Sequence, residues 1–266
     1  MQVAILAGGL GTRLREETEF RPKPMVEIGG HPILWHIMKL YAHFGHTEFI
    51  ICCGYKGDVI RNYFLNYRIN HSDCTVVLGS PTVEVHSNHQ EEGWRVTMAE
   101  TGGSTMTAGR LKRVRKYIHD DLFLATYGDG VGNVNLDELV ATHRSSGKLA
   151  TVTAVRPTAR FGELAMSGDI VTTFDEKPQV SNSWVNGGFF VFHRSVLDLI
   201  EGDDEVLEKG LLVHLSKLGQ LGVYRHEGFW QCMDNLREME LLNKMWQQNY
   251  VPWLPSAQQV EEVTTR

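Results

Sequence analysis

Four charged side chains have the type and setting for phosphate and metal chemistry: Arg13, Lys23, Asp129 and Asp234. Arg13 closes the run Leu6-Ala7-Gly8-Gly9-Leu10-Gly11-Thr12-Arg13, in which an apolar stretch passes directly into a glycine-rich turn. Backbone N–H groups exposed by such a turn bind phosphate oxygens, and an arginine adds a charged fork. A plain tight turn is the alternative, weakened by the Thr-Arg that follows the small residues. Two common phosphate motifs are excluded. A GxGxxG pattern begun at Gly9 and Gly11 needs a small residue where Leu14 stands, and no Gly-Lys-Ser/Thr follows the loop. Lys23 lies between Pro22 and Pro24, which hold the backbone extended and reduce the entropy lost when the amine fixes on an anion. By itself it reads equally as a surface lysine in a proline-rich loop.

Asp129 ends an apolar run, Leu122 to Thr126, and is flanked by Gly128 and Gly130. Asp234 follows the aromatic segment Gly228-Phe229-Trp230 and stands where a helix from Asn235 opens. Magnesium takes one or two carboxylates and completes its shell with phosphates and water, which two aspartates from separate strand ends can serve. Spacing alone favours a plainer role for Asp234, the N-cap of its helix.

These side chains need a rigid frame. Short apolar strands (Val3 to Leu6, Phe49 to Cys53, Leu122 to Thr126, Leu149 to Val155, Asn186 to Phe192) alternate with helical patterns. Ile33, Leu34, Ile37, Met38, Tyr41 and Phe44 repeat at helical spacing, with Gly45 as the cap, and Asp58 to Tyr67, Asn135 to Arg144 and Asn235 to Gln247 also read as helices. The order predicts an α/β fold with a Rossmann-like, mostly parallel central sheet flanked by helices. Residues 69–107, rich in Ser, Thr, Gly and His, break the rhythm and read as an inserted loop and hairpin. The chain closes with the helical segment from Asn235 and an arm over about 248–266, and the segment from Tyr250, with Trp253 and two prolines, is either an interface arm or a loose tail. No linker or repeat divides residues 1–266, so a single domain is expected.

Composition removes several classes. The net charge of -6 gives no case for nucleic-acid binding, and the basic run Arg110, Lys112, Arg113, Arg115 and Lys116 reads as a solvated helix face. No apolar run approaches the ~20 residues of a membrane span, and Met1 to Leu6 reads as a strand, not a signal peptide. Cys52, Cys53, Cys74 and Cys232 form no metal-like spacing. Cys52 and Cys53 would point to opposite faces of a strand, and reduced cysteines imply a cytoplasmic protein.

LAGGLGTRL followed by KPM resembles the signature of the sugar-phosphate nucleotidyltransferase family. The resemblance implies a nucleotide bound by Leu6, Ala7, Gly8, Gly9, Leu10, Gly11, Thr12 and Arg13, its triphosphate held by the glycines, Thr12 and Arg13, with Lys23 on its phosphates. It implies that Asp129, in a Gly-Asp motif beside Gly128 of the nucleotide site, and Asp234, in a Trp-x-Asp-type motif, hold Mg2+. Trp230 to Asp234 has one residue more than the common form. Glu176-Lys177-Pro178 matches a segment whose lysine contacts the sugar phosphate, and Asn186-Gly187-Gly188 one that lines the sugar.

Gly102 to Arg113, Cys52 to Gly57, Val83 to His86 and Gly228 to Trp230 are similar, over nearly the whole chain, to the branch of that family using CTP and glucose 1-phosphate. That likeness implies base and ribose contacts from Thr105 and Arg110, and Gly103 and Ala108 depart from it in a way that bears on base choice. It also implies in-line attack by the sugar phosphate, with Arg13, Lys23 and Lys177 as the catalytic cations, and a homo-oligomer, trimer or hexamer, serving dideoxysugars of bacterial surface polysaccharide. A relative using UTP or dTTP and a non-catalytic sugar-nucleotide-binding subunit are the competing readings. A dinucleotide-dependent dehydrogenase is disfavoured by Leu14.

Overall fold

Successive strand residues point to opposite faces of a sheet, so a strand apolar at every position must be covered on both sides. Strand β1 (Val3–Leu6) is buried at all its positions. The computed structural model describes residues 1–86, 91, 93–157, 163–175 and 183–255. Within them β1 joins β2 (Glu48–Cys53), β3 (Arg95–Glu100), β4 (Leu122–Tyr127), β5 (Ala150–Val155), β6 (Val185–His193) and β7 (Leu221–His226) in a seven-stranded sheet. The order across it is β7-β5-β6-β4-β1-β2-β3. Only β6 runs antiparallel to its neighbours, so the sheet is mostly parallel and the α/β expectation is met.

Val3, Ile5, Phe49, Ile51 and Cys53 face one apolar layer, and Ala4, Leu6, Ile50 and Cys52 face the other, so the adjacent cysteines do point apart. The first layer is covered by α1 (Ile33–His43), α2 (Gly57–Leu65) and residues of two later helices, α4 (Leu136–Ser146) and α6 (Leu236–Gln247). The second is covered by α3 (Thr107–Val114) and α5 (Leu211–Lys217).

Two expectations change. The 69–107 insertion does contain a hairpin, Cys74–Val76 against Val83–Val85, but Arg95–Glu100 leaves it to become the parallel edge strand β3 beside β2. The alternation within that strand explains why. Val96 and Met98 pack on the first core and Ala99 on the second, so it is a half-buried strand in polar surroundings. The C-terminal arm, as far as residue 255, is not a loose tail. Val251, Trp253 and Leu254 are buried in the first core, and Trp253 packs on Phe229 with ring centroids 5.6 Å apart.

Register fixes the site. Leu6 pairs with Tyr127 across β1 and β4, so the chain leaves both strands side by side, glycine loop beside Gly128-Asp129. Ligands of open α/β sheets bind outside such carboxyl ends.

Candidate active site

The glycine loop is shaped by what lies against it. Gly11 takes a left-handed φ of +63°, natural for a residue without Cβ, and its carbonyl accepts the Leu14 N–H at 3.0 Å. Gly8 has no room for a side chain, because a Cβ there would meet Arg110 Nη1 at 2.1 Å. The buried Arg110 guanidinium donates to Gly8 O at 3.0 Å, Gly102 O at 2.9 Å, Cys53 O at 3.3 Å and Thr101 Oγ1 at 2.7 Å. It thereby ties the loop after β1 to the end of β2 and to the turn before α3.

The two aspartates meet through a short ribbon. Gly130–Gly132 pairs antiparallel with Trp230–Cys232, and the Met233 N–H donates to Asp129 O at 2.8 Å. Lys23 then reaches both acids, with Nζ 2.6 Å from Asp129 Oδ2 and 2.5 Å from Asp234 Oδ1. Burial pulls the Lys23 ammonium toward neutrality, but the carboxylates outweigh it and hold its pKa above the ordinary 10.5. Arg13 Nη1 lies 2.6 Å from Asp234 Oδ2 on a side chain 75% exposed. An ion pair that open contributes at most about 1 kcal/mol, so Arg13 can leave it for a phosphate at little cost.

Asp234 is not the N-cap of α6. Asn235 takes that role, accepting the Glu238 N–H on its side chain at 3.1 Å, while Glu238 Oε2 accepts the Asp234 N–H at 2.6 Å. This reciprocal arrangement is a variant of the capping box, and it leaves the Asp234 carboxylate to the site. Two carboxylate oxygens already converging on one cation are a suitable donor set for a magnesium ion completed by phosphate oxygens and water.

Two cavities meet at these acids. The first, about 310 Å³, is walled by Leu6, Ala7, Gly8, Gly9, Gly11, Thr12, Arg13, Lys23, Thr105, Arg110, Gly128, Asp129 and Asp234. Nearly all the proposed nucleotide and metal residues are thus brought together. Leu10 is the exception. It is 58% exposed and lines a neighbouring surface cleft with Tyr55 and Glu19. Gly128 is a tight spot, since a Cβ would meet Pro24 Cγ at 2.9 Å and Leu6 O at 3.0 Å. The second cavity, about 320 Å³, shares Arg13, Thr107, Tyr127, Asp129 and Asp234 with the first and adds Asn186 and Gly187, the proposed sugar residues. Glu176 and Lys177 lie outside the described residues.

Sequence reasoning missed Tyr127, Thr107, Glu208 and Trp230, which line this second cavity. Thr107 and Trp230 lie inside segments already singled out, Gly102 to Arg113 and Gly228 to Trp230, and Tyr127 adjoins Gly128-Asp129, so their neighbourhood was a signal. Glu208 sits in a charged stretch with no motif. Trp230 Nε1 donates to Gly187 O at 2.8 Å and so carries the sugar segment on the same ribbon as the acids.

Known proteins resemble this chain in sequence and in fold. A family model described as nucleotidyl transferase matches residues 2–218. The chain is 50% identical over 254 residues to the glucose-1-phosphate cytidylyltransferase of Salmonella typhi, covering 95% of this chain and 98% of that one. It is 30% identical over 267 residues to the mannose-1-phosphate guanylyltransferase catalytic subunit beta of Xenopus tropicalis, covering 96% and 68%. Among solved structures, HddC from Yersinia pseudotuberculosis superposes with a TM-score of 0.66 at 22% identity, over 92% of this chain and 99% of that one, a likeness of fold.

Proposed function

The chain belongs to the nucleotidyl transferase family, and from that premise we propose that it transfers a cytidylyl group from CTP to α-D-glucose 1-phosphate, giving CDP-glucose and pyrophosphate. The observation that carries the chemistry is the meeting of Asp129, Asp234 and Lys23 beside the glycine loop. The choice of CTP and glucose rests on the 50% likeness to the Salmonella typhi enzyme, against 30% to a relative named as a mannose-1-phosphate guanylyltransferase subunit.

An oxygen of the sugar phosphate attacks the α-phosphorus of CTP in line, one P–O bond forms, and the bond to the β-phosphate breaks. A phosphate monoester has a second pKa of about 6, so the nucleophile is largely dianionic at neutral pH and needs no general base. No histidine is among the described residues lining either cavity. The chain's contribution is positioning and charge. Backbone N–H groups of the glycine loop receive the triphosphate, and Arg13 and Lys23 neutralise it and the departing pyrophosphate. Asp129 and Asp234 would hold Mg2+, which when bound supplies charge neutralisation on phosphate oxygens. Thr105 and Arg110 serve the base and ribose, and Lys177 orients the attacking phosphate. The same reading takes the protein as a cytoplasmic homo-oligomer, trimer or hexamer, making a precursor for bacterial surface polysaccharide.

Pyrophosphate release with glucose 1-phosphate and each of CTP, UTP, dTTP, ATP and GTP, with and without magnesium, tests this. Magnesium-dependent release with CTP supports it. Release only with another nucleotide keeps the mechanism and overturns the base. No release with any sugar 1-phosphate overturns the enzyme reading.

A further inference from the structure

One carboxylate in the second cavity is not used by the phosphate chemistry. Glu208 lines that cavity with Tyr127 and Asn186, on the surface that also carries Asp129 and Asp234. It is held from two sides. The Tyr127 hydroxyl, at the end of β4, donates to Glu208 Oε1, and the Thr107 hydroxyl, at the start of α3, donates to Oε2 at 3.2 Å. Thr107 is itself fixed, its oxygen accepting the Leu207 N–H at 2.7 Å. Asn186 Nδ2 donates to the Tyr127 oxygen at 3.0 Å, and Asn186 Oδ1 accepts the Gly188 N–H at 2.8 Å. Glu208, Tyr127 and Asn186 therefore form one connected wall, braced by three separate elements.

The charge of this wall limits what can face it. Among the described residues no cation pairs with Glu208. Arg13 and Lys23 sit on the acid pair of the shared surface. A phosphate would be repelled by the Glu208 carboxylate, whereas a neutral donor would be welcomed. A carboxylate offers about four acceptor positions, and Tyr127 and Thr107 occupy two of them. Burial first, and then the Glu208 contact, push the Tyr127 phenol above its ordinary range, so it stays protonated and keeps Glu208 in place.

We infer that Glu208 is a specificity-determining residue that accepts a hydrogen bond from a hydroxyl of the hexose. Tyr127 and Thr107 are its positioning residues. The inference rests on the reading of a hexose 1-phosphate as the acceptor substrate.

The test pairs Glu208→Gln and Glu208→Ala with glucose 1-phosphates in which the hydroxyl at C2, C3, C4 or C6 is replaced in turn by fluorine, which keeps size but cannot donate. Melting curves establish which variants fold, and the glutamine variant keeps the shape of the side chain if the alanine variant fails. The expected result is a rise in KM for glucose 1-phosphate of about ten- to a hundredfold in the alanine variant, smaller in the glutamine variant, as for a lost hydrogen bond to a charged group. KM for CTP changes less than KM for glucose 1-phosphate, because Glu208 lines the second cavity and is not among the residues walling the first. One fluorinated analogue suffers the same loss with the natural chain, and the Glu208 variants cost that analogue nothing more. Equal losses for all analogues, or a change confined to CTP, overturn the inference and leave the substrate reading standing. A natural chain that turns over no hexose 1-phosphate overturns both.

Discussion

The ammonium of Lys23 stands 2.5 Å from the carboxylate of Asp234, and the same nitrogen spans to Asp129 at 2.6 Å. A single lysine is thus the shared counter-ion of the two acids best placed to hold a metal. The ammonium and a divalent ion therefore compete for the same oxygens. Lys23→Ala should tighten Mg2+ binding to the nucleotide-free protein by about tenfold, the worth of one charge interaction of about 1.4 kcal/mol. Turnover should nonetheless fall by about a hundredfold or more, since a cation on the leaving group is lost. The melting temperature of this variant should drop without Mg2+ and recover with it. An unchanged magnesium affinity would show that Lys23 and the metal do not share the acids.

Asp234 and Asn235 are neighbours with separable duties. Asn235 caps α6, and Asp234 faces the site. Asp234→Asn should lower kcat by about a hundredfold to a thousandfold, the usual loss for one electrostatic contact to a transition state, and leave folding stability nearly unchanged. Asn235→Ala should do the opposite, lowering unfolding free energy by about 1 kcal/mol as a lost cap does, with a modest effect on kcat. Urea unfolding and steady-state rates on both variants decide this. Equal stability losses would return Asp234 to a capping role.

Much of this arrangement is legible in the sequence for a physical reason. Strands buried on both faces are continuous apolar runs, and the loops that follow them carry the site, so the glycine loop and Asp129 could be placed from their positions after such runs. Asp234 could be placed only through the family resemblance, because its position in the site depends on the ribbon of Gly130–Gly132 with Trp230–Cys232, a pairing between distant segments that spacing alone does not announce. Strand β3 was hidden for a related reason, since an edge strand has one polar side and looks like a loop. Glu208 has no motif at all. It enters the site only because Leu6, Tyr127 and Thr107 are brought together by the order of the sheet and the helix covering it.

Gly8 should tolerate no side chain. An added Cβ would stand 2.1 Å from Arg110 Nη1 and 2.4 Å from its Cζ, in a buried place where the guanidinium already holds four acceptors. Gly8→Ala must push Arg110 off these carbonyls, and overpacking of this kind costs about 1–3 kcal/mol. The loop and Arg110 move together, so KM for CTP should rise by more than KM for glucose 1-phosphate. Gly9→Ala is the control, because a Cβ there has nothing within 4 Å. Initial rates at varied CTP for the two variants give the comparison, and equal effects would mean that Arg110 does not brace the loop.

His36 should make the fold sensitive to acid. It is fully buried, its Nδ1 accepts the Trp253 Nε1–H at 3.2 Å, and its Nε2 therefore carries the proton that is donated to Ile28 O at 2.9 Å. Both ring nitrogens are used in the neutral form, and burial, partly offset by the Ile28 hydrogen bond, holds its pKa down at about 3. The unfolded chain binds a proton near pH 6.5 and the folded one does not, so unfolding is favoured as the pH falls through that value. Each unit between about 6.5 and 3 removes roughly 1.4 kcal/mol of stability through this one residue. His36→Gln should be less stable than the natural chain at pH 8, since the match to Ile28 and Trp253 is imperfect. Its disadvantage should shrink as the pH is lowered from 6.5 to 5, because the variant has no imidazole to protonate. Urea midpoints for both proteins across that range measure the difference. A constant gap between them would mean that His36 does not titrate on unfolding and that the acid sensitivity lies elsewhere.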